Sequence, residues 1–225
     1  MSLIAVLCPP PNPLVETDAP QAARRSPPRW VPTFSLALEW IMFLQTERLV
    51  LREFIEADWP AVLAYHSTPG YQRFYPEIGC TESDARAFVS RFLQWQQEEP
   101  RSKYQWAVVL QRQARLIGNC GIRKNEPNSP AGEIGCELAQ QHWGRGYPAE
   151  LSGPLLRFGF EVLGLHRLYA HCLAENTAAV YWMEKLGMRQ EGRLRENVYI
   201  RGQWHDTLVY GILRQEWINP ELAST

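Results

Sequence analysis

The string Gln141-His142-Trp143-Gly144-Arg145-Gly146-Tyr147 constrains this 225-residue chain more than any other part of it, because it ends one kind of pattern and opens another. Upstream, Glu133-Ile134-Gly135-Cys136-Glu137-Leu138 alternates with period two, as a strand does, and then stops at polar residues. Downstream, Leu151, Leu155, Phe158 and Val162 recur at helical spacing. A strand, a glycine loop and a helix in that order aim several free N–H groups, together with the positive end of the helix dipole, at one point. An anion fits that point. Glycine spacing alone favours an ordinary turn, and residue content is what separates the alternatives. No Lys-Ser or Lys-Thr follows Gly146, which excludes a P-loop, and Gly144-Arg145-Gly146 lacks the third glycine of a dinucleotide fingerprint. What remains is Gln-x-x-Gly-x-Gly.

That string resembles the coenzyme A pyrophosphate motif of the GNAT superfamily of N-acetyltransferases, and further motifs follow in the matching order. Thr46-Glu47-Arg48-Leu49-Val50-Leu51-Arg52 is similar to the opening strand of the superfamily's RimJ/RimL-type branch, and Leu116-Ile117-Gly118 to the start of its third strand. Asn176-Thr177-Ala178-Ala179 with Glu184-Lys185-Leu186-Gly187-Met188 resembles the branch's Asn-x-Ala-Ser and Glu-Lys-Leu-Gly-Phe signature. Gly202-Gln203-Trp204-His205-Asp206, Tyr210 and Glu216-Trp217 resemble its last hairpin. The resemblance spans about residues 45–217. It implies an α/β (α+β) fold: a central mixed sheet of about seven strands, about four flanking helices, and a splayed parallel strand pair that holds CoA.

Composition agrees with one soluble domain. About 170 residues suffice for a single hydrophobic centre, and 45% hydrophobic residues can fill it. A formal net charge of −1 with a pI near 6.5 leaves no basic footprint, so nucleic acid is not an expected partner. The cysteines at 8, 80, 120, 136 and 172 show no paired spacing and read as reduced residues of a cytoplasmic protein. Cys136 lies on the prospective cofactor-edge strand, where it reads as a small core hydrophobe rather than a reactive thiol. His166 and His171 stand five apart in a strand-like run, hence on opposite faces, and no metal site is expected.

Residues 1–41 are a different kind of chain, holding eight of the 17 prolines, and read as a disordered or extended tail; residues 218–225 form a C-terminal tail. Leu3–Cys8 lacks a basic leader and Phe34–Leu44 is too short to span a bilayer, so no export or membrane segment is expected. Met42 stands just before the family-like start, which suggests that the natural chain begins there.

From residue 46 the expected order is strand, helix, helix, three strands, helix, strand, helix and two strands. Asp58 is expected to cap a helix over Trp59–His66, and Thr81 one buried through Ala85, Phe88, Val89 and Phe92. A hairpin turn falls near Arg112–Ala114, and a second around Arg201-Gly202. Gly164 and Gly187 end the two later helices. Ser152-Gly153-Pro154 conflicts with the first of these, since an interior proline costs about 3 kcal/mol and a glycine about 1. A kink near Pro154, or a helix that starts late, is expected.

The resemblance also assigns a site. Main-chain groups near Cys136 and Leu138 would bind the pantetheine amides, and the amides of Trp143, Gly144, Arg145, Gly146, Tyr147 and Ala149 the pyrophosphate, with Arg145 adding charge and Gln141 opening the motif. Asn176 either bonds the arm or caps the next helix, and the two are compatible. Amines have pKa values of about 8 to 10.4, so an acceptor must lose a proton before attacking acetyl-CoA. Glu137 and Glu133 share a strand face, and Glu137, nearer the loop, is the first choice as base; either alternatively pairs with an arginine. Met183 stands where many members carry a tyrosine, and Ala179 where the branch carries serine. Tyr181 is the nearest hydroxyl in sequence, although its helical position points it elsewhere. A backbone N–H near Leu138 would hold the oxyanion. The implied reaction is direct transfer of an acetyl group to a protein N-terminus or a small amine, with an aromatic wall drawn from Trp59, Tyr71, Phe74, Tyr75, Trp95, Tyr199 and Trp204. An acyl-CoA-binding sensor without catalysis is the alternative, and similar proteins are commonly homodimers.

Overall fold

A computed structural model describes residues 45–75 and 79–219. The proline-rich segment 1–41, Met42 and all but the first two residues of the 218–225 tail lie outside the described residues.

Strand β1 (Leu49–Glu53) leads to helices α1 (Trp59–His66), α2 (Pro69–Phe74) and α3 (Glu82–Gln96). Strands β2 (Lys103–Leu110), β3 (Arg115–Arg123) and β4 (Ala131–Leu138) follow, then α4 (Tyr147–Arg157), β5 (Arg167–Leu173), α5 (Thr177–Lys185), β6 (Arg189–Ile200), β7 (Gln203–Leu213) and α6 (Arg214–Ile218). The strands make one seven-stranded sheet in the order β1-β2-β3-β4-β5-β7-β6. Every neighbouring pair is antiparallel except β4 and β5.

Two apolar layers cover the sheet. Ile134, Cys136 and Leu138 of β4 and Leu168, Ala170 and Cys172 of β5 pack with Leu151 and Leu155 of α4 and with Ala179, Trp182 and Met183 of α5. Period two sends the intervening residues, Glu133 and Glu137 among them, to the opposite face, where Val62 and Tyr65 of α1 meet Phe88, Val89 and Phe92 of α3. Leu151 and Leu155 are 0% and 1% exposed; burying each contributes about 1.5–3 kcal/mol and fixes α4 against the sheet.

Several local expectations hold. Thr81 caps α3, its side chain accepting from the Asp84 N–H at 3.2 Å. Ala114 takes the left-handed conformation at the end of the β2–β3 turn, and Gly164 and Gly187 adopt positive φ after their helices. Asp58 departs from expectation. Its carboxylate accepts two bonds from Arg52 at 2.7 Å and one from the Ile55 N–H at 2.9 Å, so none of it caps α1. Helices α2 and α6 are additional to the expected order; both are too short to repeat a helical period twice.

The conflict at Pro154 resolves one turn downstream. Helix α4 begins at Tyr147, immediately after the loop, and runs through Pro154 to Arg157, so its start is not late. It then widens into a π-helical turn at Phe158–Val162. Proline withholds the N–H that the Glu150 carbonyl would accept, and the regular first turn facing the loop is preserved.

Candidate active site

The parallel pairing of β4 and β5 stops early. Only Ala131, Gly132 and Glu133 pair with Arg167, Leu168 and Tyr169, and beyond that rung the two strands part. In an antiparallel ladder, alternate residues direct both backbone groups to the same neighbour. The Ala139 N–H donates to the Ile117 carbonyl at 2.7 Å, which turns the odd-numbered residues of β4 toward β3. Ile134, Cys136 and Leu138 therefore present theirs to the gap. On the other side, the Arg214 N–H donates to the His166 carbonyl at 2.9 Å and the Ala174 N–H to the Asp206 carbonyl at 2.9 Å. That register turns the backbone groups of His171 and Leu173 toward the gap. Two of these acceptors are already engaged. The Leu138 carbonyl accepts from the Trp143 indole N–H at 2.7 Å, and the Leu173 carbonyl from the Asn176 N–H at 2.9 Å.

The glycine loop closes the wide end of the gap. Gly144 and Gly146 hold φ of 70° and 75°, a region where a side chain costs roughly 1–2 kcal/mol. The N–H groups of Gly144, Arg145, Gly146, Tyr147 and Ala149 have no protein partner among the described residues, and they cluster at the start of α4. The Trp143 amide, expected to join them, donates to the Gln140 carbonyl at 3.1 Å instead and is spent on the turn that builds the loop. Arg145 is exposed beside the loop. Burial holds the His142 imidazole below its usual pKa, with Arg115 and Arg145 adding to the effect, which marks a positive field at the loop. An anchor fixes it from outside: Arg48 donates to the Arg145 carbonyl at 3.0 Å, lies 4.5 Å from the Tyr147 ring and pairs with Glu150 at 2.6 Å. Free N–H groups, a helix N-terminus and positive charge suit a diphosphate, and the gap's unpaired main-chain groups suit an amide-bearing arm.

Glu137 is 3% exposed. Its carboxylate accepts from the hydroxyls of Tyr65 and Tyr71, each at 2.9 Å, and from the Asn119 amide, while His66 Nε2 stands 3.6 Å away. Asn119 in turn accepts from Gln105 at 2.6 Å. Burial pushes the Glu137 carboxyl up, but His66 and the two tyrosines outweigh it and hold the group below the usual carboxylate range. Burial, and then the negative charge of Glu137, raise both tyrosine hydroxyls well above their ordinary value. A carboxylate saturated by donors and kept ionised is a weak proton acceptor; its geometry is that of a clamp on the underside of β4.

Glu133 lies on the same face as Glu137, as the period required, in a wetter setting. It is 3.3 Å from Arg123, the arginine pairing anticipated as its alternative role, and 3.4 Å from His171 Nδ1. Asn176 is buried and caps α5, its side chain accepting from the Ala179 N–H at 3.2 Å. Tyr181 is 60% exposed on α5 against Lys185, apart from the other site residues. Gln141 is exposed, with its amide 3.4 Å from His142. The aromatic wall does not form as one surface. Tyr71 is buried in the α1–α3 layer and Phe74 is buried at the end of α2, whereas Tyr199 and Trp204 are exposed together on the last hairpin, ring centroids 5.0 Å apart. Cys120, Cys136 and Cys172 are buried reduced thiols; burial pushes the Cys136 thiol far up and that of Cys172 to about 12.

Sequence reasoning missed Tyr65, His66, Asn119 and His171. The last was within reach of period two, since odd residues of β5 share a face with Glu133; the others meet Glu137 only through the fold. Among the described residues, no group of three or more His, Cys, Asp or Glu side chains is arranged to hold a metal, and no helix is long and apolar enough to cross a membrane.

A parallel pair that splays beside a donor-rich glycine loop suits a long ligand with amides along its arm and a diphosphate at its end. The sequence profile of the GNAT acetyltransferase domain matches residues 48–189, and the chain belongs to that family. The uncharacterized N-acetyltransferase YnaD of Bacillus subtilis is 33% identical over 176 residues, 78% of this chain and 99% of that one. A GNAT-family acetyltransferase from Bacillus anthracis superposes with a TM-score of 0.66 at 32% identity, covering 77% of this chain and 99% of its own. The spermidine N(1)-acetyltransferase of Vibrio cholerae is 31% identical over 112 residues, 50% of this chain and 65% of that one. The protein is thus an acetyl-CoA-dependent acyltransferase, which the resemblance had implied.

Proposed function

We propose that the protein moves the acetyl group of acetyl-CoA directly to a primary amine in a ternary complex. The single observation behind this reading is the open edge of β4 running into five unengaged N–H groups at the start of α4. In it, the pyrophosphate rests on Gly144, Arg145, Gly146, Tyr147 and Ala149, and the arm bonds the main chain of Ile134 and Cys136. Arg145 adds charge, Asn176 borders the arm, and the Leu138 N–H bonds the arm next to the pyrophosphate. The acceptor approaches from the face that carries Glu133 and Glu137, opposite α4. Its class is a protein N-terminus, as the RimJ/RimL-type resemblance suggests, or a small amine. The relative named putative ribosomal N-acetyltransferase YdaF, of Bacillus subtilis, is 28% identical over 102 residues, 45% of this chain and 56% of that one, and supports the former; the spermidine enzyme supports the latter. Reduced, buried cysteines suit the cytoplasm.

Incubation with labelled acetyl-CoA and a mixture of peptide and metabolite amines, read by mass spectrometry, tests the reading: label on one amine class is the expected result, and no labelled amine overturns it. Met183, fully buried and without a hydroxyl, favours a second reading, a CoA-thioester-binding module without turnover. Calorimetric binding of acetyl-CoA with no thiol release on any amine would select it.

A further inference from the structure

The proposed transfer needs a proton acceptor, and Glu137 is a poor one, saturated by its donors and kept ionised. We infer that His171, oriented by Glu133 across the narrow end of the strand gap, takes the proton from the attacking amine. This rests on the proposed acetyl transfer and adds to it the identity of the base.

Three observations carry it. First, position. Five strand steps of about 3.3 Å, roughly 17 Å, separate Leu138 at the loop end of β4 from Glu133, so an extended pantetheine arm anchored at the loop carries its thioester toward the closed end of the gap. The last backbone rung is Glu133 with Tyr169, and His171 is the next residue of β5 on that face. The Glu133–His171 pair thus bridges the strands where main-chain pairing ends. Second, access. The side chains of Glu133 and His171 are 21% and 28% exposed on the acceptor face, against 4% for Glu137. Third, tautomer. His171 Nδ1 lies 3.4 Å from Glu133 Oε1, so a proton held on Nδ1 leaves the Nε2 lone pair outward. The charged and titratable groups around this imidazole are Glu133 on β4, Arg123 on β3 behind it, the Tyr169 ring 5.5 Å away on β5, and the His205–Glu175 pair further along the same face of β7.

The step balances as follows. The bound ammonium acceptor first gives one proton to solvent. The neutral amine then attacks the thioester carbonyl carbon, forming the C–N bond, and the proton of the resulting cationic nitrogen passes to His171 Nε2. The C–S bond breaks with its electron pair on sulfur, and the thiolate takes a proton from the imidazolium. A thiol with a pKa near 8.5 leaves without a separate acid, in keeping with Met183 in place of a hydroxyl.

The test measures thiol release against pH for the wild-type chain, His171→Gln, His171→Ala and Glu133→Gln, with spermidine, glucosamine and a serine-initiated peptide as acceptors. Calorimetry of acetyl-CoA and circular dichroism accompany each variant. His171→Gln is expected to bind acetyl-CoA within about twofold of wild type while kcat falls on the order of 100-fold and the acid limb of kcat/KM changes shape, keeping only the part set by deprotonation of the amine. Added imidazole should restore part of the His171→Ala rate, which a purely structural role would not allow. Glu133→Gln, which removes only the group that orients the imidazole, should lower kcat by less than His171→Gln does. An unchanged limb and rate in a folded His171→Gln overturn the inference and leave acetyl transfer standing. A wild-type chain that binds acetyl-CoA yet releases no thiol with any amine overturns both.

Discussion

Replacing Glu137 by glutamine separates the clamp from the base. The carboxylate accepts from Tyr65, Tyr71 and Asn119 and faces His66, all within a buried cluster. Hydrogen bonds to a charged group contribute about 1.5–3 kcal/mol each, against about 0.5–1.5 for neutral partners. Glutamine keeps one acceptor oxygen and turns the other position into a donor aimed at donors. Downgrading two bonds and losing a third therefore costs about 3.5–6 kcal/mol. For a domain of this size each kcal/mol lowers Tm by about 2–4 °C, so a fall of roughly 7–24 °C is expected by calorimetry near neutral pH. The difference should shrink in acid. The Glu137 pKa is lowered in the fold, so its stabilisation is complete above the unfolded carboxylate value and is lost as pH falls through the folded one. Glu133→Gln, at a partly exposed pair, should cost about 1 kcal/mol. A Glu137→Gln Tm within about 2 °C of wild type would refute the clamp, because four buried groups cannot lose their charged partner at no cost.

Gly146→Ala places a side chain at φ 75°, with Arg48 3.7 Å from the new Cβ. Strain of roughly 1–2 kcal/mol, relieved by rotating the loop amides, should weaken acetyl-CoA binding about tenfold by calorimetry with little change in the far-UV spectrum. Thr81→Ala removes the α3 cap and should destabilise by about 1 kcal/mol in urea titration. Cys80 is exposed whereas Cys120, Cys136 and Cys172 are buried; peptide mapping after iodoacetamide should find Cys80 alkylated in the native protein and these three only after unfolding.

The positions read best from sequence are those whose chemistry is local. The glycine loop, the Thr81 cap and the turn at Ala114 each depend on residues within a few positions, and each formed where spacing placed it. Asp58 shows the limit of that reading. It has the right residue type for a cap, yet Arg52, six residues away, outcompetes the helix N–H groups for its oxygens. Trp143 is similar, since its amide is consumed by a turn and its indole reaches back to Leu138. Pro154 breaks the helical pattern of the sequence, but a π turn downstream leaves the first turn intact.

By itself the sequence determined the order of the strands and of the longer helices, the side of β4 on which Glu133 and Glu137 lie, and the loop whose amides remain free, because periodicity and glycine content act over short stretches of chain. What became of those two carboxylates only the tertiary structure decided. Glu137 meets Tyr65, Tyr71 and Asn119 across 72, 66 and 18 residues, and Glu133 meets His171 across 38. Burial and donors make one a fixed anion, while solvent and an imidazole leave the other able to direct a proton. Such a difference arises from neighbours that no local pattern brings together.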